Sequence, residues 1–92
     1  MELRPAEQLI RVHRFRFVKA QGCGVTGIEL HVEEALGPVQ PETPRCTARP
    51  DHPELVPKPE FTRHGDTVEE AVAHCLEAIR PRRFYELFLP KA

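Results

Sequence analysis

Seven of the ten prolines in this chain fall between Pro38 and Pro59. Each holds its own φ at about −65° and removes a backbone donor. Such spacing excludes both a helix and a central strand. Residues 38–59 are therefore expected to form a long proline-rich loop of extended, polyproline-like character. A surface insertion is the simplest use of such a loop. The Pro38-Val39-Gln40-Pro41 spacing also fits a partner-binding arm. Regular structure is expected on either side of it.

On the N-terminal side, Met1 to Gln8 reads as a lead-in. Leu9–Lys19, LIRVHRFRFVK, is rich in β-branched and aromatic residues. Alternation puts His13, Phe15 and Phe17 on one side and Arg14 and Arg16 on the other, as in a strand. A helix starting near Pro5 competes, because Leu9, Val12 and Phe15 also match helical spacing; β-propensity weighs for the strand. Three glycines between Gly22 and Gly27 then predict a hairpin turn. They do not form a phosphate cradle: the Lys-Ser/Thr pair is missing and the next element is a strand. That strand is Ile28–Glu33, with Ile28, Leu30 and Val32 facing one way and Glu29, His31 and Glu33 the other. Leu36-Gly37-Pro38 ends it.

Beyond the prolines, Phe61–His64 is expected as a short strand and Gly65 as a turn. Asp66 or Thr67 can cap a helix, with Glu69 or Glu70 three residues on. Val68, Ala71, Val72, Cys75, Leu76 and Ile79 make one apolar stripe at steps of three and four. Arg80 lies in the last turn and Pro81 stops it. Arg82–Pro90, RRFYELFLP, alternates and predicts a final strand, with Tyr85, Leu87 and Leu89 on one face and Phe84, Glu86 and Phe88 on the other. The expectation is a single α+β domain spanning residues 1–92. It has a small, mostly antiparallel sheet of three to four strands, one helix on one face, and the order β-β-β-α-β.

The segment Gly65–Ile79, GDTVEEAVAHCLEAI, resembles the helix-opening segment of HicB-type antitoxins, with Gly65, Thr67, Glu69, Glu70 and Ala71 in the family's places. The preceding hairpin, with IELHVEE (Ile28–Glu34) as its second strand, has the family's order. The resemblance implies a toxin-masking protein. The chain departs from the family in the proline-rich insertion before the helix. It also carries no DNA-binding segment after the helix, which points to toxin masking rather than operator binding.

Composition bounds the alternatives. Thirteen Lys plus Arg stand against 14 Asp plus Glu, so no global field draws the chain to nucleic acid. Three cysteines, odd in number and scattered, imply free thiols rather than a disulfide framework. The first residues lack the basic and apolar pattern of a signal peptide. The expectation is a cytoplasmic protein with no membrane segment.

One helix covers one sheet face. The other is expected to carry Arg14, Arg16, Glu29, His31, Glu33, Phe84, Glu86 and Phe88. Cross-strand ion pairs account for the charges. Exposed Phe84 and Phe88, rimmed by Arg14, Arg16, Arg82 and Arg83, make the candidate partner-binding surface, for a second copy in a homo-oligomer or for another protein. RNA is the alternative, through stacking on the aromatics and arginine contacts to phosphate. The glutamates on that face disfavour it.

Catalysis is not expected. No metal-ligand pair spacing occurs; Cys46 and His52, joined by Cys23 or His64, would be the nearest approach to a site. His74 and Cys75 are helix neighbours about a hundred degrees apart and cannot serve each other. Cys75 belongs to the apolar stripe, and His13 to the core side of its strand. No cofactor is implied.

Overall fold

Extended chain runs unbroken through the segment that alternation marked as strand. In the computed structural model, which describes residues 4, 5 and 7–90, β1 (Ile10–Gln21) and β2 (Gly24–Ala35) form one antiparallel hairpin. Its register runs from Ile10 opposite Ala35 to Gln21 opposite Gly24. No helix forms over Leu9–Phe15. The turn is only Gly22-Cys23, with Gly22 at φ +59°. A left-handed φ at the first of two turn residues is what a type II′ hairpin requires, and glycine adopts it without steric cost. Gly24–Gly27, read as turn from composition, instead extends β2. Residues 1–3 and 6 of the lead-in lie outside the described residues.

The proline-rich stretch is not a loop throughout. Cys46–Asp51 is strand β3, paired antiparallel with β2 from Glu34–Cys46 to Glu29–Asp51. β5 (Arg63–Gly65) pairs on its other side, so β3 is central. Pro50 sits within it, opposite Leu30. The reason it fits is directional. The Arg45 carbonyl accepts the Ala35 N–H at 2.9 Å, so Arg45, Thr47 and Arg49 turn their backbone groups to β2, and Cys46, Ala48 and Pro50 turn theirs to β5. β5 stops at Arg63, opposite Ala48. The position that would face Pro50 is Phe61, already in a 3₁₀ turn (Pro59–Phe61). The missing proline donor therefore has no acceptor to disappoint.

Helix α1 (Val68–Ile79) lies on one face of this β1-β2-β3-β5 sheet. Thr67 caps it: its Oγ1 accepts the Glu70 N–H at 3.1 Å. Ala71, Cys75 and Ile79 pack onto Ile28, Leu30, Val32, Cys46 and Ala48, all buried. Gly65 is set by close approach: a Cβ there would lie 2.6 Å from the Ala71 nitrogen. At the other end, Lys19 reaches from β1 and its Nζ donates to the Arg80 carbonyl, placing a cation at the negative end of the helix.

The tail departs from its expected path. It makes a 3₁₀ turn (Phe84–Glu86) and a short strand β6 (Phe88–Pro90). β6 does not join the main sheet. It pairs with β4 (Leu55–Pro57), from the proline-rich stretch, in a separate two-stranded sheet. The 3₁₀ turn breaks the period of two, so Leu87 and Phe88 are both buried while Tyr85 and Leu89 are exposed. Among the described residues, no helix is long and apolar enough to cross a membrane.

Candidate functional site: the open edge of the long hairpin

Of the two phenylalanines expected on the reverse face, neither is there. Phe88 is 5% exposed and Phe84 half-buried against the core. Their ring centroids lie 5.2 Å apart, and His52 packs 5.7 Å from Phe84 and 5.6 Å from Phe88. They form a satellite cluster joining the small β4–β6 sheet to the core, which is structural work.

Arg14 and Arg16 do lie on the reverse face. Arg16 Nε donates to Glu29 at 2.7 Å, and Arg14 Nη1 to Asp51 at 3.2 Å. Further in, Glu33 accepts from Arg49 at 3.3 Å and lies 3.2 Å from the His31 ring. Arg82 and Arg83 are elsewhere, in the exposed turn leaving α1, with Arg82 3.6 Å from Glu86. The four arginines do not form one rim.

What the structure brings together instead is β1. Among the described strands, it has a neighbour on one side only. The Leu9 carbonyl accepts the Leu36 N–H at 3.0 Å, so the odd-numbered residues of β1 direct their backbone groups to β2. Ile10, Val12, Arg14, Arg16, Val18 and Ala20 direct theirs outward, where no described strand pairs with them. The strand is also partly uncovered above. α1 packs over β2, β3 and β5, so Phe15, directly opposite buried Leu30, is 40% exposed. On the reverse face Ile10, Val12 and Val18 are exposed, Val18 at 58%. At the start of β1 this face runs into a groove of about 440 Å³ between Ile10, Glu33, Ala35, Val39, Pro44 and Thr47.

The charge of β1 is one-sided. Leu9–Gln21 contains Arg11, Arg14, Arg16 and Lys19 and no carboxylate. This was the signal available in the sequence: lone edge strands carry charge where central strands carry apolar runs. The alternation of the tail points instead to Phe84 and Phe88, and no local pattern marks Ile10, Val12 and Val18.

Cys23 is exposed at the hairpin tip, while Cys46 on β3 and Cys75 on the inner side of α1 are buried in the core. Burial raises the Cys46 thiol, with Glu34 adding to the effect. Burial pushes Cys75 up to about 11, and its Sγ donates to the Phe61 carbonyl at 3.5 Å. Among the described residues, neither thiol is hydrogen-bonded to a histidine or a carboxylate. His74 Nδ1–H instead donates to the His64 carbonyl at 2.8 Å, and His64 Nδ1 lies 3.1 Å from Thr47 Oγ1. His13, half-buried, lies 3.0 Å from Glu34. The described residues include no group of three or more His, Cys, Asp or Glu side chains able to hold a metal ion.

Compared with family models, curated proteins and solved structures, the chain has no match. Its class is accordingly that of its architecture: an α+β protein with a four-stranded antiparallel sheet, a two-stranded sheet and one helix.

Proposed function

We propose that this chain is a non-catalytic module that binds another protein along the outer edge of β1. The observation that carries the reading is the unpaired outward row of N–H and C=O groups from Ile10 to Ala20, bordered by exposed Val12, Phe15 and Val18. Edge strands of this length are normally blunted by proline, a bulge, a covering element or charged side chains; the described part of β1 has only the last, in Arg11, Arg14, Arg16 and Lys19, and its Val12, Phe15 and Val18 stay exposed between them. Such an edge is the substrate of strand addition, in which main-chain bonds supply affinity and alternate side chains supply selection.

The likeness to HicB-type antitoxins makes a toxin the class of partner proposed. It rests on Gly65, Thr67, Glu69, Glu70 and Ala71, and on antiparallel strands preceding a helix and a short closing strand; five strands precede the helix here, against the three of β-β-β-α-β. Arg14 and Arg16 remain in the proposed surface. Phe84, Phe88, Arg82 and Arg83 do not.

The test uses proline as a probe of direction. Val12 and Val18 turn their N–H groups outward, so Val12→Pro with Val18→Pro removes no bond within the chain but blocks an added strand. Co-expressed with a toxin encoded beside it, the wild-type chain should co-purify with the toxin, and the proline variant should fold and fail to do so. Equal co-purification by the two would end the edge reading.

A further inference from the structure

We propose that the strand β1 accepts is an acidic one: an extended segment of the partner with Asp or Glu opposite Arg14 and Arg16 and apolar residues opposite Val12, Val18 and Phe15. The inference deepens the edge reading and rests on it.

Three observations carry it. The first is donor capacity. Arg16 engages Glu29 through Nε alone and Arg14 engages Asp51 through Nη1 alone. A guanidinium has five N–H donors, so each keeps most of its fork for a second carboxylate. Their own-sheet pairs hold them against the reverse face while leaving them well exposed, at 65% and 70% for the side chains. The second is the pattern. Along the reverse face the outer row reads Ile10, Val12, Arg14, Arg16, Val18: two apolar, two basic, one apolar. An incoming strand with the complementary order is held in register, because a one-residue slip turns its carboxylates to the opposite face.

The third observation discriminates between occupants. A second copy pairing antiparallel through β1 must match outward-facing residues to outward-facing residues. Centred on Phe15, that sets Arg14 against the copy's Arg16 and Arg11 against its Lys19. Centred on Arg14 or Arg16, it sets arginine against itself. Like charges directly opposite are unfavourable, so the fullest self-pairing registers are disfavoured by the strand's own sequence. Nucleic acid matches the charge but not the edge. The outward row alternates donors with acceptors, and a phosphate backbone offers acceptors only.

The experiment measures fluorescence anisotropy of a labelled peptide, Thr-Glu-Val-Val-Glu-Val-Glu-Thr-Val-Glu-Val, and of its counterpart with Lys at every Glu. The glutamate peptide should bind saturably and the lysine peptide should not. Arg14→Gln with Arg16→Gln should weaken binding by about tenfold, the sum of two exposed charge pairs. Val12→Pro with Val18→Pro should abolish it, with the circular-dichroism melt of each variant confirming the fold. No binding of the glutamate peptide, or binding indifferent to the proline pair, overturns the proposal. So does a dimer in light scattering that the proline pair dissolves, or competition by oligouridylate at the same edge. If the proline pair still releases the toxin while the glutamate peptide never binds, the acidic partner falls and the edge reading stands.

Discussion

Phe84 and Phe88 face each other at 5.2 Å with their rings tilted by 46°. Offset and tilted aromatic pairs of this kind add to the stability conferred by burial alone. Phe88 is closed in by His52 and Pro57 of the neighbouring strand. Phe88→Ala should therefore lower unfolding stability by about 3–5 kcal/mol, read as a fall in the urea midpoint. Phe88→Asp should leave no cooperative transition. A folded Phe88→Asp protein would contradict the burial described here.

Pro50 and Arg49 are neighbours whose backbone nitrogens point opposite ways. Pro50→Ala should lower stability modestly, by about 1–2 kcal/mol, since it trims a fully buried side chain and adds an N–H that no acceptor faces. Arg49→Pro removes a bond to β2 from the centre of the sheet and should cost about 3 kcal/mol or more. Equal effects in the two denaturation curves would refute the assigned direction of β3.

Gly65 abuts the first turn of α1, where a Cβ would come within 2.6 Å of backbone. A shift of β5 or of the helix start is then unavoidable. Gly65→Ala should destabilise by about 1–3 kcal/mol, with the loss greatest in hydrogen-exchange protection of Glu70 and Ala71. Unchanged protection there would show that the junction is looser than described.

The three cysteines should react in two classes. Cys23 is exposed and Cys46 and Cys75 are buried, so Ellman's reagent should modify one thiol in the native protein and three in urea. Two fast thiols without denaturant would place a second cysteine at the surface.

Cys75 also gives stability an alkaline limb. Its thiol stays neutral up to about 11 when folded, against 9.0 ordinarily. The folded state therefore holds the proton more tightly: the contribution is complete below pH 9 and is lost as pH rises through about 11. It is on the order of 2–3 kcal/mol over that interval. Cys46, raised in the same direction, adds to the slope. Cys75→Ala should flatten the fall in stability between pH 9 and 11; an unaltered slope would mean that the thiol is already hydrated.

Local chemistry was enough for the hairpin, the helix and its cap. Strand alternation at Ile28–Val32, the stripe from Val68 to Ile79 and the Thr67 cap are decided by neighbours a few residues apart, and the chain carries that information in its spacing. The place of β3, the separation of β6 from the main sheet, and the burial of Phe88 were decided only when distant segments met. Proline's missing donor matters solely where an acceptor waits for it, and nothing near Pro50 in the chain tells where β5 will stop. Likewise the alternation of Arg82–Pro90 could not disclose that a 3₁₀ turn would reset its phase, or that Leu55–Pro57 would be its partner. Side-chain period is a local property; which edge of a sheet is left open depends on every other strand having found its place.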